Sequence, residues 1–487
     1  MLAFSTETAE PQDAKWALIL VLGAFGLLVA RRINVIGALA LALLAWGAVS
    51  LSWSADWRNG IVVMTHACAL LGCSLLAVRA AHVAPSALAS GMIGVCAIWA
   101  FGPDWLFGGF GNRNFAAEFV LMAAPFAWLS PLRWWALLAG GWIVIDNHGA
   151  LKWLAMALGL GALVVMPAWR RRDLGPALGA GAGLLGIMLM VAWPSKLLTS
   201  LKARGELGWN TLAMIADRPF FGWGLGSFNA VYPDYSERHR AVLGDWTVLE
   251  SAARFAGASH NEFLQLHAEL GLVGWALFLA CIVVLARHAW RKKRDRLDLA
   301  AGASLGVAAL LSLIAFPLQN AATAMVAGLS VTILARGLTA WTLPRARLLA
   351  TGLAAGWLIW TAPRQVLASV HYGAAVRTGN AHPSFALLAD LKAIEAWPYR
   401  GPRHQLELLL SGAVEQPGFQ IDPREADRWH RISVSAAGND PAVLLARLAY
   451  LAHAGRMDEP EAHSTFRALV ERHSLRPGVK ALAEMVR

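Results

Sequence analysis

Long apolar blocks separated by short polar connections dominate the first 362 residues of the chain. A helix needs roughly 20 consecutive apolar residues to cross a hydrocarbon core of ~30 Å. The pattern therefore predicts an all-α polytopic membrane protein with about 12 transmembrane helices, some of them short. The blocks cover residues 16–30, 33–51, 60–78, 86–101, 115–130, 132–147, 150–168, 174–193, 262–286, 299–316, 321–337 and 348–362.

The composition agrees with this class of protein. Charged residues make up 15% of the 487 positions, whereas soluble proteins carry about 25%, and the mean hydropathy is +0.49. These values exclude a cytosolic enzyme, a secreted disulfide scaffold and a disordered chain. All four cysteines lie in apolar blocks, which favours buried, inert thiols over a metal or disulfide framework; they are Cys68, Cys73, Cys96 and Cys281.

Basic residues predict how the spans are oriented, because short cytoplasmic connections carry an excess of Lys and Arg. Alternate connections hold sixteen basic residues, whereas the opposite short connections, 52–59 and 102–114, hold only Arg58 and Arg113. The rich set is expected in the cytoplasm, which leaves segment 194–261 and the tail outside it. The sixteen are Arg31, Arg32, Arg79, Arg133, Arg170, Arg171, Arg172, Arg287, Arg291, Lys292, Lys293, Arg294, Arg296, Arg336, Arg345 and Arg347.

The chain is accordingly expected to have four parts. Residues 1–193 and 262–362 form transmembrane helices, and residues 194–261 form an extracytoplasmic loop subdomain. Residues 363–487 form a small polar domain with apolar residues at helical spacing. Its last part, 441–487, resembles tetratricopeptide-type helix hairpins without a clear full repeat. Such domains bind partners, so assembly proteins are expected to contact the tail.

The connection 194–261 is the one long connection between predicted spans, and long loops are usually functional or disordered. It is rich in aromatic and cationic residues, which suit sugar rings and phosphates. An amphipathic loop lying on lipid headgroups has the same enrichment, so both interpretations stay open. The aromatic residues are Trp209, Phe220, Phe221, Trp223, Phe228, Tyr232, Tyr235 and Trp246, and the cations are Lys196, Lys202, Arg204, Arg218, Arg238, Arg240 and Arg254.

Several common chemical motifs are missing from the sequence. There is no Asp-x-Asp pair of the kind that clamps a metal diphosphate, no Walker A sequence, and no zinc-type spacing of His and Cys. The glycines at 222, 224 and 226 follow no predicted strand, so they indicate a tight turn and not a dinucleotide site.

His260 stands where the long connection enters a predicted span. A histidine titrates near neutral pH and can accept a proton from a hydroxyl group, which makes His260 a candidate general base. The alternative is a structural helix start, with Ser259 or Asn261 as the capping residue. His267, seven residues further on, is expected to serve packing or to support the site from behind.

The residues around His260 follow a spacing known from one family. His260-Asn261 is followed after nine residues by Gly271 and after two more by Gly274. Upstream, Arg204, Trp209 and the run Asp217-Arg218-Pro219-Phe220-Phe221-Gly222-Trp223-Gly224 complete the pattern, together with Gly111-Asn112-Arg113-Asn114. This pattern resembles the O-antigen ligase and polysaccharide polymerase superfamily over about residues 20–340.

The resemblance implies a glycosyltransferase of the GT-C type in the bacterial inner membrane, with its active site and C-terminal domain in the periplasm. Such enzymes use a glycan on undecaprenyl diphosphate as donor and need no metal or other cofactor. His260 would be the general base and Arg204 the cation that meets the diphosphate, with Arg218 and Arg254 in reserve. Further substrate-binding candidates are Asn261, Trp209 and Trp223.

This sequence departs from the family at one cation. The family often has Ser-Arg-Gly-Ala opening an outer span, and here the matching residues are Asn147-His148-Gly149-Ala150. A histidine is only partly charged at pH 7, so it binds a diphosphate less strongly than an arginine does. His148 with a raised pKa, Arg113 from the neighbouring outer loop, or Lys152 is expected to fill this role.

Within the family, the large C-terminal domain favours an exopolysaccharide or O-antigen polymerase. An O-antigen ligase acting on the lipid A-core of lipopolysaccharide and a protein O-oligosaccharyltransferase are the alternatives, so the acceptor is a glycan, lipid A-core or protein. A transporter of lipid-linked glycans is the rival from another class, although no inverted repeat is visible. Membrane lipid is an expected partner and nucleic acid is not.

Overall fold

The structure, a computed structural model, describes residues 11–101, 112–146, 194–243, 258–291, 295–342, 347–378, 448, 451–452 and 455–473. Within these ranges the chain is helical apart from two short strands and brief connections. The predicted spans 150–168 and 174–193 lie outside the described residues.

The helices and strands of the described ranges follow in chain order. They are α1 (Pro11–Val29), β1 (Arg32–Asn34), α2 (Val35–Ser50), α3 (Trp57–Ala80), α4 (Ala84–Phe101), α5 (Arg113–Ala127), α6 (Arg133–Asp146), α7 (Pro194–Asp217), α8 (Phe228–Leu243), α9 (Glu262–Arg291), α10 (Arg296–Leu311), α11 (Ala321–Leu334), β2 (Ala340–Thr342), α12 (Arg347–Thr378) and α13 (Pro460–His473).

Four helical stretches are long and apolar enough to cross a membrane, which indicates a membrane protein. They are Val35–Trp53, Trp57–Ala77, Ala81–Phe101 and Glu262–Arg291. Asn114–Ala127 and Ala321–Leu334 are apolar but shorter. The prediction of a mostly helical chain with membrane-spanning segments is confirmed at this level.

Small residues let the first helices approach each other closely. A Cβ atom added to Gly26 would lie 1.9 Å from the carbonyl oxygen of Gly72, and one added to Gly23 would lie 2.4 Å from that of Ala69. Lipid tails are as apolar as leucine side chains, so the hydrophobic effect does not drive membrane helices together. Close van der Waals packing between small residues contributes to their association instead. α12 packs on the same layer through the buried residues Ala355 and Leu358.

A second layer contains α4, α5, α6, α10 and α11 around the buried side chains of Phe119, Met122 and Phe126. Ser304 of α10 donates a hydrogen bond to the carbonyl oxygen of Met122 at 2.7 Å. Such a bond satisfies a polar group that would otherwise be costly to bury among apolar side chains. The two layers share α11, so they form one bundle.

A short β-ribbon lies at one end of the bundle, where the fold departs from all-α. β1 and β2 are antiparallel, with Ile33 paired to Trp341. Close by, Arg336 forms salt bridges with Asp298 at 2.9 Å and Asp295 at 3.1 Å. We call this the ribbon end; it includes Arg31, Arg32 and Arg336 of the predicted basic connections.

One helix boundary and one helix interior differ from the sequence-based expectation. α12 continues through Pro363 to Thr378, so the expected boundary between residues 362 and 363 falls inside a helix. Proline is tolerated there because neighbouring helices can satisfy the freed backbone groups. α9 begins at Glu262 as expected, but Gly271 interrupts it with φ 64° and ψ −169°.

The part of the long connection at 194–243 folds into a helical hairpin. α7 and α8 pack together through the buried side chains of Leu207, Met214 and Tyr232, and Ala268 of α9 completes the cluster. Asn210 donates a hydrogen bond to the hydroxyl oxygen of Tyr232 at 3.1 Å inside this core. A buried core of this kind means that the described part of the connection is a folded subdomain.

Beyond α12, the structure describes residues 448, 451–452 and 455–473 of the tail, which include α13. Leu448 packs against Leu469 of α13. Between them Gly455 has φ 67°, and the Arg456 N–H donates to the carbonyl oxygen of Leu451 at 2.8 Å. This is the helix end predicted for Gly455, because glycine adopts a left-handed conformation without strain. α13 contacts α8, so the tail touches the loop subdomain.

We expect Gly271→Ala to destabilise the protein by about 3 kcal/mol or more, because a steric clash adds to the strain of a backbone region that is essentially restricted to glycine, about 1–3 kcal/mol. The added Cβ would also lie 2.2 Å from the carbonyl oxygen of Phe220. The measurement is the thermal unfolding midpoint of purified protein in detergent.

Two control variants separate the causes of that loss. Gly337→Ala has φ 87° with no atom within 4 Å of the added Cβ, so it should cost only the conformational strain, about 1–2 kcal/mol. Gly302→Ala has open space and a helical backbone, so it should leave the midpoint unchanged or raise it. Equal midpoints for Gly271→Ala and Gly302→Ala would contradict the close-approach argument.

Candidate functional site

The three glycines at 222, 224 and 226 form a turn that is bound to the broken part of α9. Their φ angles are 69°, 93° and 80°. Because Gly271 breaks the helix, the carbonyl oxygens before it are available, and those of Ala268 and Glu269 accept hydrogen bonds from the N–H groups of Trp223 and Gly224 at 2.9 and 2.8 Å. The turn is thus held by main-chain bonds to a different element.

The Glu269 side chain strengthens this attachment. It is buried, and its carboxylate accepts hydrogen bonds from the N–H groups of Gly226 at 2.9 Å and Phe228 at 3.3 Å, and from the Gln265 amide at 3.3 Å. A buried side chain that accepts three hydrogen bonds holds its partners in place, because breaking any of them would leave a buried polar group unpaired. Glu269 therefore fixes the loop subdomain to α9.

The start of α9 positions His260. The Asn261 side-chain oxygen accepts a hydrogen bond from the Leu264 N–H at 3.1 Å, which caps the helix. Ser259 donates to the Asn261 carbonyl oxygen at 2.6 Å and accepts from the Asn261 N–H at 3.1 Å. These bonds close a tight turn in which His260 has φ 53°, a left-handed conformation that is uncommon for histidine. Asn261 thus acts as the cap, and His260 is held by the turn.

The connection between α10 and α11, residues 312–320, contacts both His260 and Arg204. The ring of Phe316 meets the imidazole of His260 edge-on at 5.0 Å between centroids. The carbonyl oxygen of Ile314 accepts a hydrogen bond from Nε of Arg204 at 3.0 Å. His260 and Arg204, which lie 56 positions apart in the numbering, therefore contact the same short segment.

Electrostatics favour the neutral form of His260. Burial lowers the pKa of its imidazole, and the positive charge of Arg204 lowers it further. Burial also lowers the pKa of Arg204, and the charge of Glu118 raises it. A neutral imidazole beside an arginine can accept a proton at neutral pH while the arginine remains a cation.

Two acidic side chains complete the cluster, the buried Glu118 and the partly buried Glu262, and the sequence analysis assigns a role to neither. Glu118 of α5 is 1% exposed, accepts a hydrogen bond from the Asn320 amide at 3.2 Å, and interacts electrostatically with Arg204 and Glu262. Glu262 accepts from the Ser312 hydroxyl at 2.8 Å and the Leu318 N–H at 2.7 Å. A carboxylate inside an apolar block is the sequence signal that could have identified Glu118.

The other expected site residues lie in several places. Arg218 stacks on the indole of Trp223 at 4.0 Å, and Trp223 donates to the Met214 carbonyl oxygen at 3.0 Å. Trp209 is 58% exposed on α7.

Further expected residues are only partly described. Arg113 is the first residue of α5, the helix that carries Glu118. Arg254, His148 and Lys152 lie outside the described residues. His267 has its Nε2 3.3 Å from the Pro219 carbonyl oxygen and stacks on Trp275, which is a packing position.

No group of three or more His, Cys, Asp or Glu side chains in the described ranges has the arrangement of a metal site. Comparison with protein-family models, curated proteins and solved structures gave no match for this chain. The functional assignment therefore depends on the residues themselves.

We expect Arg204→Gln to raise the pKa of His260, because the substitution removes the positive charge that disfavours the imidazolium. Histidine-selective NMR titration of the detergent-solubilised protein measures this, with the His260→Gln spectrum assigning the resonance. Arg218→Gln is the matched control, since its guanidinium stacks on Trp223. An unchanged pKa in Arg204→Gln would mean that burial alone sets the titration of His260.

Proposed function

We propose that this protein is a membrane glycosyltransferase that polymerises an undecaprenyl-diphosphate-linked oligosaccharide. The observation that carries the proposal is that a half-buried imidazole with a lowered pKa, His260, and a half-buried guanidinium, Arg204, share the 312–320 connection. This pair supplies both a base and a cation, which transfer from a diphosphate leaving group requires. The family resemblance of the same residues supports the assignment.

The chemistry is a displacement at the anomeric carbon of the donor. The hydroxyl oxygen of the acceptor sugar forms the new glycosidic bond while the bond from the anomeric carbon to the diphosphate oxygen breaks. His260 accepts the hydroxyl proton. A general base is most efficient when its pKa lies near the operating pH. Undecaprenyl diphosphate leaves with the electron pair of the broken bond.

Arg204 stabilises the charge that develops on the leaving group. Its guanidinium presents several N–H donors in a planar arrangement that matches phosphate oxygens. The Ile314 carbonyl oxygen holds one of these donors and so fixes the direction of the side chain. A cation that is already oriented loses little free energy by reorganisation during the reaction, and such preorganised groups are worth several kcal/mol.

The surrounding residues hold this pair in position. Asn320 connects the 312–320 segment to Glu118, and the Ser312 and Leu318 hydrogen bonds connect it to Glu262 at the start of α9. The segment is therefore attached to the helix that His260 precedes and to the helix that carries Glu118. Trp209, Trp223 and Arg218 belong to the loop subdomain beside this cluster and are proposed to contact the sugar and phosphate groups.

In the proposed arrangement the chain crosses the inner membrane about 12 times as a GT-C-type enzyme. The loop subdomain and the tail then lie in the periplasm, where the lipid-linked donor is presented. The ribbon end, with its basic residues, lies on the cytoplasmic side in keeping with the distribution of Lys and Arg. The C-terminal domain is the feature that favours a polymerase over a lipid A-core ligase.

We expect purified protein in detergent, given undecaprenyl-diphosphate oligosaccharide and a chelator, to produce a ladder of longer glycans on a gel. His260→Ala should lower the rate about 10²–10⁴-fold, the usual contribution of a general base. Arg204→Ala should lower it about 10²–10³-fold, as for loss of one electrostatic contact to the developing charge.

His288→Ala and Arg291→Ala are matched controls and should keep the wild-type rate. His288 is bonded to the Arg336 carbonyl oxygen, and Arg291 is exposed at the same end of the bundle. Transfer only after addition of lipid A-core or a protein acceptor would make the enzyme a ligase or a protein glycosyltransferase. Full activity of folded His260→Ala would contradict the role of the base.

The rate should rise with pH and then become constant, because the base must be neutral to accept the proton. Since burial and Arg204 lower the pKa of His260, the rate should reach half its maximum at a pH below the ordinary histidine pKa of about 6.5. Initial rates at saturating donor across acid and neutral pH measure this. A rate that is constant through acid pH would contradict proton acceptance by His260.

A further inference from the structure

A cavity of about 790 Å³ lies between α2, α3, α9 and α11. Most of its wall is aliphatic or small, as at Leu43, Leu71 and Val331, and its arginines are Arg31, Arg32 and Arg336. One end of the cavity reaches Leu225 of the glycine turn, and the other end reaches Arg31 and Arg32 at the ribbon end. An apolar cavity of this size can hold an extended hydrocarbon chain but offers little to a polar ligand.

The length of the cavity corresponds to one leaflet of a membrane. Along α2 its wall runs from Ile36 to Gly47, and at 1.5 Å of rise per residue this is about 16 Å. Along α3 it runs from Val63 to Leu76, which is about 20 Å. The hydrocarbon core of a bilayer is ~30 Å thick, so these distances are close to the depth of one leaflet.

The ribbon end supplies positive charge at the mouth of this cavity. Arg31 and Arg32 line it with exposed side chains, and in the described parts of the chain neither side chain forms a salt bridge. Arg336 also lines it, but that guanidinium is paired with Asp295 and Asp298. Guanidinium groups beside an apolar cavity complement a phosphate group attached to hydrocarbon chains.

We propose that this cavity binds the acyl chains of one anionic phospholipid, with the lipid phosphate held by Arg31 and Arg32. The assignment is independent of the proposed glycan transfer. The donor of that transfer must place its diphosphate near Arg204, which contacts the connection before α11. Arg31 and Arg32 lie with the residues that follow α11, at the opposite end of that helix.

The test is native mass spectrometry of the detergent-solubilised full-length protein with two added lipids that have identical acyl chains, phosphatidylglycerol and phosphatidylcholine. We expect phosphatidylglycerol to bind more tightly. The double variant Arg31→Gln/Arg32→Gln should weaken phosphatidylglycerol binding about tenfold or more, since each cation near a membrane surface contributes about 1 kcal/mol. Its phosphatidylcholine binding should be unchanged.

The matched charge control is Arg287→Gln/Arg291→Gln. Both residues are exposed, belong to the same basic end of the bundle and do not line the cavity. This variant should bind phosphatidylglycerol as the wild type does. Equal losses in the two double variants would overturn the proposal, because they would show a general surface attraction.

Filling the cavity tests the position of the acyl chains. Ala40 and Ala67 line the cavity, so the larger side chains of Ala40→Trp and Ala67→Phe should occupy it and abolish phosphatidylglycerol binding. Either variant alone suffices if the other does not fold. Ala42→Trp, on an exposed face of the same helix, should retain it.

Competition with undecaprenyl phosphate tests whether the cavity binds a polyprenyl chain instead of a phospholipid. If it displaces phosphatidylglycerol and its own binding survives in Arg31→Gln/Arg32→Gln, the cavity belongs to a polyprenyl chain and the proposal is wrong. Because no step of this test measures glycan transfer, its result is separate from that of the activity assay.

Discussion

The described fold depends on the attachment of the glycine turn to α9 at Gly271. The helix break makes main-chain carbonyl oxygens available, and they accept hydrogen bonds from the N–H groups of Trp223 and Gly224 in the turn. A third carbonyl oxygen, that of Leu270, accepts a hydrogen bond from the Trp46 indole of α2 at 2.9 Å. Backbone groups left unpaired inside a membrane protein are costly, so the break is stable only because these partners are present.

The Glu269 carboxylate extends this attachment from the main chain to a side chain. Its two oxygens accept from the N–H groups of Gly226 and Phe228, where the turn ends. The turn also contacts the α2–α3 connection, where the Ser54 hydroxyl donates to the Leu225 carbonyl oxygen at 2.8 Å. The loop subdomain is therefore attached both to α9 and to the α2–α3 connection. This rigid attachment is what allows Arg204, on a helix outside the apolar bundle, to keep a defined position beside the 312–320 connection.

The sequence predicts the parts of this structure that depend on local pattern. Apolar blocks predict the helices, and the glycines at 222, 224 and 226 predict a turn. Asn261 is anticipated as a helix cap, and Arg204 and His260, which were named from the sequence, both contact the 312–320 connection. Local composition is sufficient for these features because each is determined by a few neighbouring residues.

The remaining features depend on contacts between distant residues. The apolar pattern over 262–286 predicts a continuous span, and the break at Gly271 exists because the turn at 219–224 competes for its backbone groups. Glu118 lies in a block that hydropathy alone identifies as a span, and its partner Asn320 is distant in sequence. A helix also passes the predicted boundary at 362, since hydropathy falls there while the helical backbone continues.

The order of synthesis gives the Gly226–Glu269 bond a further consequence. The acceptor lies 43 residues after the donor, and the Arg204 bond to Ile314 joins residues 110 positions apart. The hairpin of α7 and α8 is therefore synthesised before its partners in α9 and in the segment after α10. Contacts of such long range close large loops and form late, so the contacts of Glu269 and Arg204 can form only after most of the described chain has been made.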